Sequence, residues 1–227
     1  MKKSIKTIYF GDSIMASDSK PYHYDNDNNQ PDKNKLSRGY PTLLNEKLGL
    51  VNIGNFAVGG QTIKQQLEII LTKDLKDAEL CIISVGINDF SLSTKIGSLP
   101  KSTNTEFDEN TFYGAYCKAL HHIFTSNPFI KVVLMTPLHR DTLKRKPPAR
   151  ISGIDTVVNG NRIIDFVNAI RNIGEFFSCP VADMYANCGL NRYNLPKFTF
   201  EGVHPTNKGY EFITPTLINT VKSIFWI

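Results

Sequence analysis

Read from its N-terminus, the chain repeats one pattern: a short run of apolar, β-prone residues, then a longer stretch in which apolar positions return every three or four residues. The short runs are Ile5 to Phe10, Val51 to Ala57, Leu80 to Val85, Lys131 to Thr136 and Pro180 to Tyr185. Each is apolar enough to predict a strand inside a sheet covered on both faces. The periodic stretches predict helices over Tyr40 to Leu48, Thr62 to Leu71, Thr111 to Thr125, Asn161 to Phe177 and Asn207 to Phe225, with Pro215 expected to kink or restart the last. Strands alternating with helices make parallel βα units, and the right-handed crossover rule leaves few ways to arrange them. The expectation is a three-layer α/β/α sandwich, doubly wound (flavodoxin-like), on a sheet of about five parallel strands.

Three connections are long. Asp18 to Arg38 is polar and rich in Asn and Asp, Ser91 to Asn110 is rich in Ser and Thr, and Leu138 to Gly160 carries Lys144, Arg145, Lys146 and Arg150. Each could be a lid over a site or a solvated insertion. In doubly wound sheets ligands bind beyond the carboxyl ends of the strands, so the loops that follow each run are where chemistry is expected.

Length and charge narrow the partners. At 227 residues the chain can bury a core without disulfide or metal staples, and it reads as a single domain over 1–227. The formal charge of +5 is spread among many acidic residues, which argues against nucleic acid. Cys81, Cys117, Cys179 and Cys188 lack the paired spacing of a zinc site and read as buried or half-buried free thiols. Lys6 interrupts the apolar run behind Met1-Lys2-Lys3, so no signal peptide is visible, and no window is apolar enough to span a membrane. A cytoplasmic location is the expectation.

The first strand ends in Gly11-Asp12-Ser13, which sets a serine just past a carboxyl strand end. A serine hydroxyl is inert near neutral pH without a base, so a histidine must reach it. His121 and His122 are neighbours within a helix and His23 lies in a polar loop; these three read as structural. His204 instead lies in Glu201-Gly202-Val203-His204-Pro205, a loop entering the final helix from the side where Ser13 is expected. Glu201, three residues upstream, could fold back to the imidazole Nδ1 and fix its tautomer. A His-Pro turn with an incidental acid is the plainer account of that block alone. The second strand runs into Asn55-Phe56-Ala57-Val58-Gly59-Gly60, where paired glycines open a helix, and the third into Gly86-Ile87-Asn88-Asp89. The Gly60 N–H and the Asn88 amide could converge on an oxyanion.

Taken together, these blocks resemble those of the SGNH (GDSL-type) serine hydrolases: Gly-Asp-Ser, Asn-x-x-x-x-Gly, Gly-x-Asn-Asp and a late His-Pro, in that order, from Ile5 to about Tyr210. The resemblance implies Ser13 as nucleophile, His204 as base, backbone N–H groups of Ser13 and Gly60 with the Asn88 side chain as oxyanion donors, and Asp89 as a loop brace. It implies hydrolysis of a carboxylic ester through an acyl-enzyme, with no metal or other cofactor. The family usually has Asp where this chain has Glu201, and Asp183 stands in reserve as the acid. A small-molecule or glycan ester is the expected substrate, an O-acetylated glycan or a short-chain acyl ester suiting the polar loops and His139-Arg140. The rival readings are a catalytically silent carbohydrate-binding module and a flavodoxin-like nucleotide or flavin binder, the latter lacking a phosphate-cradling first loop.

Overall fold

The computed structural model describes residues 4–20, 23–24, 31–32, 35–102, 106–145 and 148–225. Its elements in chain order are β1 (Lys6–Gly11), α1 (Ser13–Ala16), β2 (His23–Tyr24), β3 (Pro31–Asp32), α2 (Tyr40–Leu48), β4 (Val51–Asn55), α3 (Ile63–Ile70), β5 (Leu80–Ser84), α4 (Ile87–Ser91), α5 (Phe112–Ser126), β6 (Lys131–Met135), β7 (Asp141–Arg145), β8 (Pro148–Ser152), α6 (Ile163–Phe176), β9 (Val181–Ala182), α7 (Met184–Asn187), α8 (Leu195–Phe198) and α9 (Asn207–Phe225).

Five strands form one parallel sheet in the order β4-β1-β5-β6-β9. Helices α3, α5 and α6 pack together on one face, and α2 and α9 on the other. The result is the doubly wound α/β/α sandwich. The central strands explain why their sequence is continuously apolar: Tyr9, Phe10 and Leu80 to Ile83 are fully buried because helices cover both faces.

The two sheet edges depart from expectation. Strand β4 lies at an edge, with Val51 and Ile53 exposed, so it is not covered on both faces as its apolar run suggested. At the other edge β9 keeps only two residues of the expected Pro180 to Tyr185, because Asp183 turns the chain and caps α7 through the Ala186 N–H. Helix boundaries fall within two residues of the expected ones. Thr62 and Gln65 form a capping box on α3, and Thr111 caps α5 through the Gly114 N–H. Of the two expected effects of Pro215 the restart does not occur, since α9 runs on through it; Pro215 and Glu211, whose carbonyl loses its bond partner, both face solvent.

The long connections hold more order than their composition suggests. The third forms the antiparallel hairpin β7–β8, with Asp141 opposite Ser152, and the first contains the two-residue pair β2–β3. Lys146 lies outside the described residues. In the second connection Lys95 bridges to Thr111. Among the described residues, no helix is long and apolar enough to cross a membrane. The four cysteines are buried free thiols.

Candidate active site

The turn from β1 into α1 leaves no room for a side chain at its first position. A Cβ on Gly11 would lie 2.7 Å from the Ser84 carbonyl oxygen and 2.8 Å from the Met15 Cβ. The Gly11 N–H donates to Gln66 Oε1 at 2.9 Å, and the Asp12 N–H continues the β1–β5 ladder to the Ser84 carbonyl at 3.1 Å. Asp12, almost fully buried, caps α1 by accepting the Ile14 N–H at 2.9 Å. Burial pushes its carboxyl up to about 6, although the Ile14 N–H and the nearby charges of His204 and Arg140 oppose the shift. Ser13 is the first residue of α1, and the first N–H groups of a helix have no acceptor within it. Its side chain is partly exposed at the carboxyl end of the sheet.

Residues 198–206 deliver the histidine. The Phe200 N–H donates to the His204 carbonyl at 2.8 Å and the Thr206 N–H to the Phe198 carbonyl at 2.9 Å, which closes the segment as a loop. Gly202 stands at φ +85°, a conformation that costs other residues strain and that here reverses the chain between Glu201 and His204. Ser13 Oγ lies 2.7 Å from His204 Nε2, and His204 Nδ1 is hydrogen-bonded to Glu201 Oε1. This pairing fixes the tautomer: Nδ1–H donates to the carboxylate, so Nε2 is the acceptor for the serine proton. Glu201 Oε2 is buried without a hydrogen-bond partner among the described residues.

The loop after β4 closes on Ser13, and the loop after β5 is tied to it. The ideal Cβ position of Gly59 is 3.6 Å from the Ser13 Cβ, and Gly60 follows at φ +79°. Asn88, on α4, donates from Nδ2 to the Gln61 carbonyl at 3.1 Å, tying the loop after β5 to the loop after β4. Its neighbour Asp89 is buried and accepts the Ile63 N–H at 3.1 Å, which braces the start of α3 against α4. Burial raises the Asp89 carboxyl to about 7, against the pull of its bonds to Ile63 and Thr94.

The structure thus brings Ser13, His204 and Glu201 into one hydrogen-bonded chain. Asp183 is engaged elsewhere, with Arg171 at 2.7 Å and Thr136 at 3.1 Å. His139 stacks on Tyr185 with ring centroids 4.0 Å apart, and burial lowers its pKa. His121 is exposed on α5 while His122 is half-buried. The side chains of His23, Lys144, Arg145 and Arg150 are not among those described. Sequence reasoning missed Gln66, a fully buried amide that holds Gly11 and also donates to Gln61 Oε1. Its signal was present: Gln66 occupies the apolar face of α3 with Ile63, Leu67 and Ile70.

A cleft of about 300 Å³ opens beside the serine, walled by Ala16, Ser17, Lys20, Ser37, Gly59 and Pro205, with Ser13 and His204 at its edge. Among the described residues no three His, Cys, Asp or Glu side chains are grouped as a metal site.

The sequence profile of the GDSL-like lipase/acylhydrolase family matches residues 9–212. Among solved structures, a possible lipase from Chitinophaga pinensis shares 25% identity at a TM-score of 0.76, covering 97% of this chain and 99% of its own. The acetyl xylan esterase AlAXEase shares 22% identity at a TM-score of 0.65, covering 96% and 100% respectively. A lipase/acylhydrolase from Enterococcus faecalis shares 22% identity at a TM-score of 0.62, covering 97% and 96%. No curated protein matches the sequence. The profile spans nearly the whole chain and takes in the Gly-Asp-Ser corner, both glycine and asparagine loops and the histidine loop; the chain belongs to the GDSL-like lipase/acylhydrolase family.

Proposed function

We propose that the protein is a serine esterase that hydrolyses a carboxylic ester through an acyl-enzyme on Ser13. The observation that carries this reading is the 2.7 Å contact between Ser13 Oγ and His204 Nε2, with Glu201 on the opposite ring nitrogen. Ser13 Oγ attacks the carbonyl carbon while its proton passes to Nε2, and Glu201 steadies the imidazolium. The tetrahedral oxyanion is met by the backbone N–H groups of Ser13 and Gly60 and by the Asn88 amide. His204 returns the proton to the leaving alcohol; water then attacks the acyl-enzyme by the same route and frees the acid. The chemistry draws on no metal or other cofactor.

The cleft's small size favours a short acyl group, so an O-acetylated glycan or a short-chain acyl ester is the proposed substrate class. One fold neighbour acts on acetyl xylan by its description, which puts acetylated sugars on the assay panel. The test is hydrolysis of p-nitrophenyl acetate and butyrate by the wild type and by Ser13→Ala. The expected loss is about 10⁶-fold in turnover. Equal rates from both proteins would remove Ser13 from the reaction, and a wild type without turnover that binds sugars would favour the silent binding module. A strong preference for long-chain lipid esters over acetylated sugars would overturn the substrate class alone.

A further inference from the structure

Arg140 lies between β6 and β7, half-buried, one residue before the point where the hairpin meets the histidine loop. The Asp141 N–H donates to the Gly202 carbonyl at 2.7 Å, and a Cβ on Gly202 would touch the Asp141 Cβ at 2.8 Å. The Arg140 carbonyl accepts the Gly153 N–H at 2.7 Å, so the backbone at 140 is held by the far end of the hairpin. Its guanidinium donates from Nη1 to Ser91 Oγ at 2.7 Å, one turn after Asn88 on α4, and from Nε to the Asp141 carbonyl at 3.4 Å. Both acceptors are neutral, yet the charge sits close enough to Glu201 and Asp12 for Coulomb attraction to each.

Arg140 is the cation whose charge reaches Glu201. One oxygen of Glu201 serves His204 and the other is buried without a partner among the described residues. A carboxylate with one oxygen unsatisfied tends to turn away toward water unless a nearby positive charge holds it. The charged groups at Glu201 are His204 on its own loop and Arg140 from the β6–β7 connection; Asp141 lies beside Gly202, and Asp12 from the β1–α1 corner interacts with His204 and Arg140. Arg140 is the permanent cation of this set.

We infer that Arg140 is a positioning residue for Glu201: it holds the carboxylate on His204 Nδ1, and so acts on the serine–histidine pair through the acid. This rests on the esterase reading above. It accounts for how a glutamate, one methylene longer than the family's usual aspartate, is held in that place.

The experiment measures the pH dependence of Ser13 labelling by a fluorophosphonate in the wild type, Arg140→Gln, Arg140→Lys and Arg140→Met. Methionine keeps an unbranched stem without the charge, and thermal melts report which variants are folded. Removing a cation next to the Glu201–His204 pair makes protonation of that pair easier, so the acidic limb is expected to move up by roughly one pH unit in Arg140→Gln and Arg140→Met. On the acidic limb the labelling rate is expected to fall by up to about tenfold, with Arg140→Lys leaving the limb in place. A rate lowered equally at every pH, with the limb unmoved, would overturn the inference in favour of a brace for α4 through Ser91. An unmoved limb with KM raised only for anionic esters would overturn it in favour of substrate binding. A wild type that does not label at Ser13 overturns the esterase reading itself and this inference with it, which separates the two failures.

Discussion

The two halves of the candidate site are built in opposite ways. The β1–α1 corner is part of the core: Gly11 is wedged between Ser84 and Met15, Asp12 and Gln66 are buried, and backbone bonds fix the positions on either side of Ser13. The segment 198–206 is a loop at the rim. It is closed by two backbone bonds and leans on the hairpin through Asp141, with His204 partly exposed and one Glu201 oxygen unpaired among the described residues. Ser13 is therefore placed by packing, whereas His204 is placed by hydrogen bonds and charge. Packed positions tolerate few substitutions, while hydrogen-bonded ones can be retuned.

Beyond loss of Ser13 itself, the largest effect should come from the loop's charge chain. Glu201→Gln is expected to lower kcat by about 10⁴-fold with little change in thermal midpoint, because the ring loses its fixed tautomer while the fold keeps its contacts. Steady-state kinetics beside a thermal melt checks this, and a loss under tenfold would show that another group orients His204. Next, Asn88→Ala should cost about 10²–10³-fold in kcat as one oxyanion donor disappears. It also frees the Gln61 carbonyl. A change in KM alone would assign Asn88 to substrate binding instead.

Glycine substitutions sharpen the contrast. Gly11→Ala should destabilise the protein by roughly 1–3 kcal/mol, since neither the Ser84 carbonyl nor the start of α1 can yield. Gly202→Ala pays about 1–2 kcal/mol for positive φ and meets the Asp141 Cβ at 2.8 Å, displacing the histidine loop, so its activity should fall further than its stability. Urea denaturation and kinetics on both variants would expose the reverse ranking if the loop were the more rigid half.

The smallest effect is a pH dependence of stability. The Asp89 carboxyl is raised to about 7 in the fold from an ordinary 3.8, so its burial favours the protonated form. Its contribution is fully present below about pH 4 and is lost as pH rises through about 7. Asp89→Asn keeps an acceptor for the Ile63 N–H and should flatten the fall in thermal midpoint between pH 5 and 8 by a few degrees. Asp12, raised to about 6, leaves a residual slope of the same sign. Melts of equal slope for both proteins would contradict the assignment.

The fold was legible because central strands in a doubly covered sheet must be apolar throughout, and β1, β5 and β6 stand out for that reason. The edges were not: the Val51 run alternates apolar residues with Asn52, Gly54 and Asn55, a half-covered pattern that its apolar positions masked, and β4 stands at the margin. The hairpin β7–β8 was hidden by its Lys, Arg and Pro content, which reads as loop; strand pairing there depends on backbone bonds that composition does not report. For the site, motif order pointed to Ser13, Gly60, Asn88 and His204. Glu201 was readable from its distance to His204, three residues. Arg140 was readable only as one cation among several, because its relation to Glu201 arises where two remote loops touch through Asp141 and Gly202.

The central claim is that Ser13 is the nucleophile of a Ser13–His204–Glu201 chain. The most direct test treats the native protein with a fluorophosphonate, digests it and locates the adduct by peptide mass spectrometry. The account predicts a single phosphonylated residue, Ser13, and no adduct in His204→Ala over the same interval. An unmodified Ser13, or labelling that persists at full rate without His204, would contradict it.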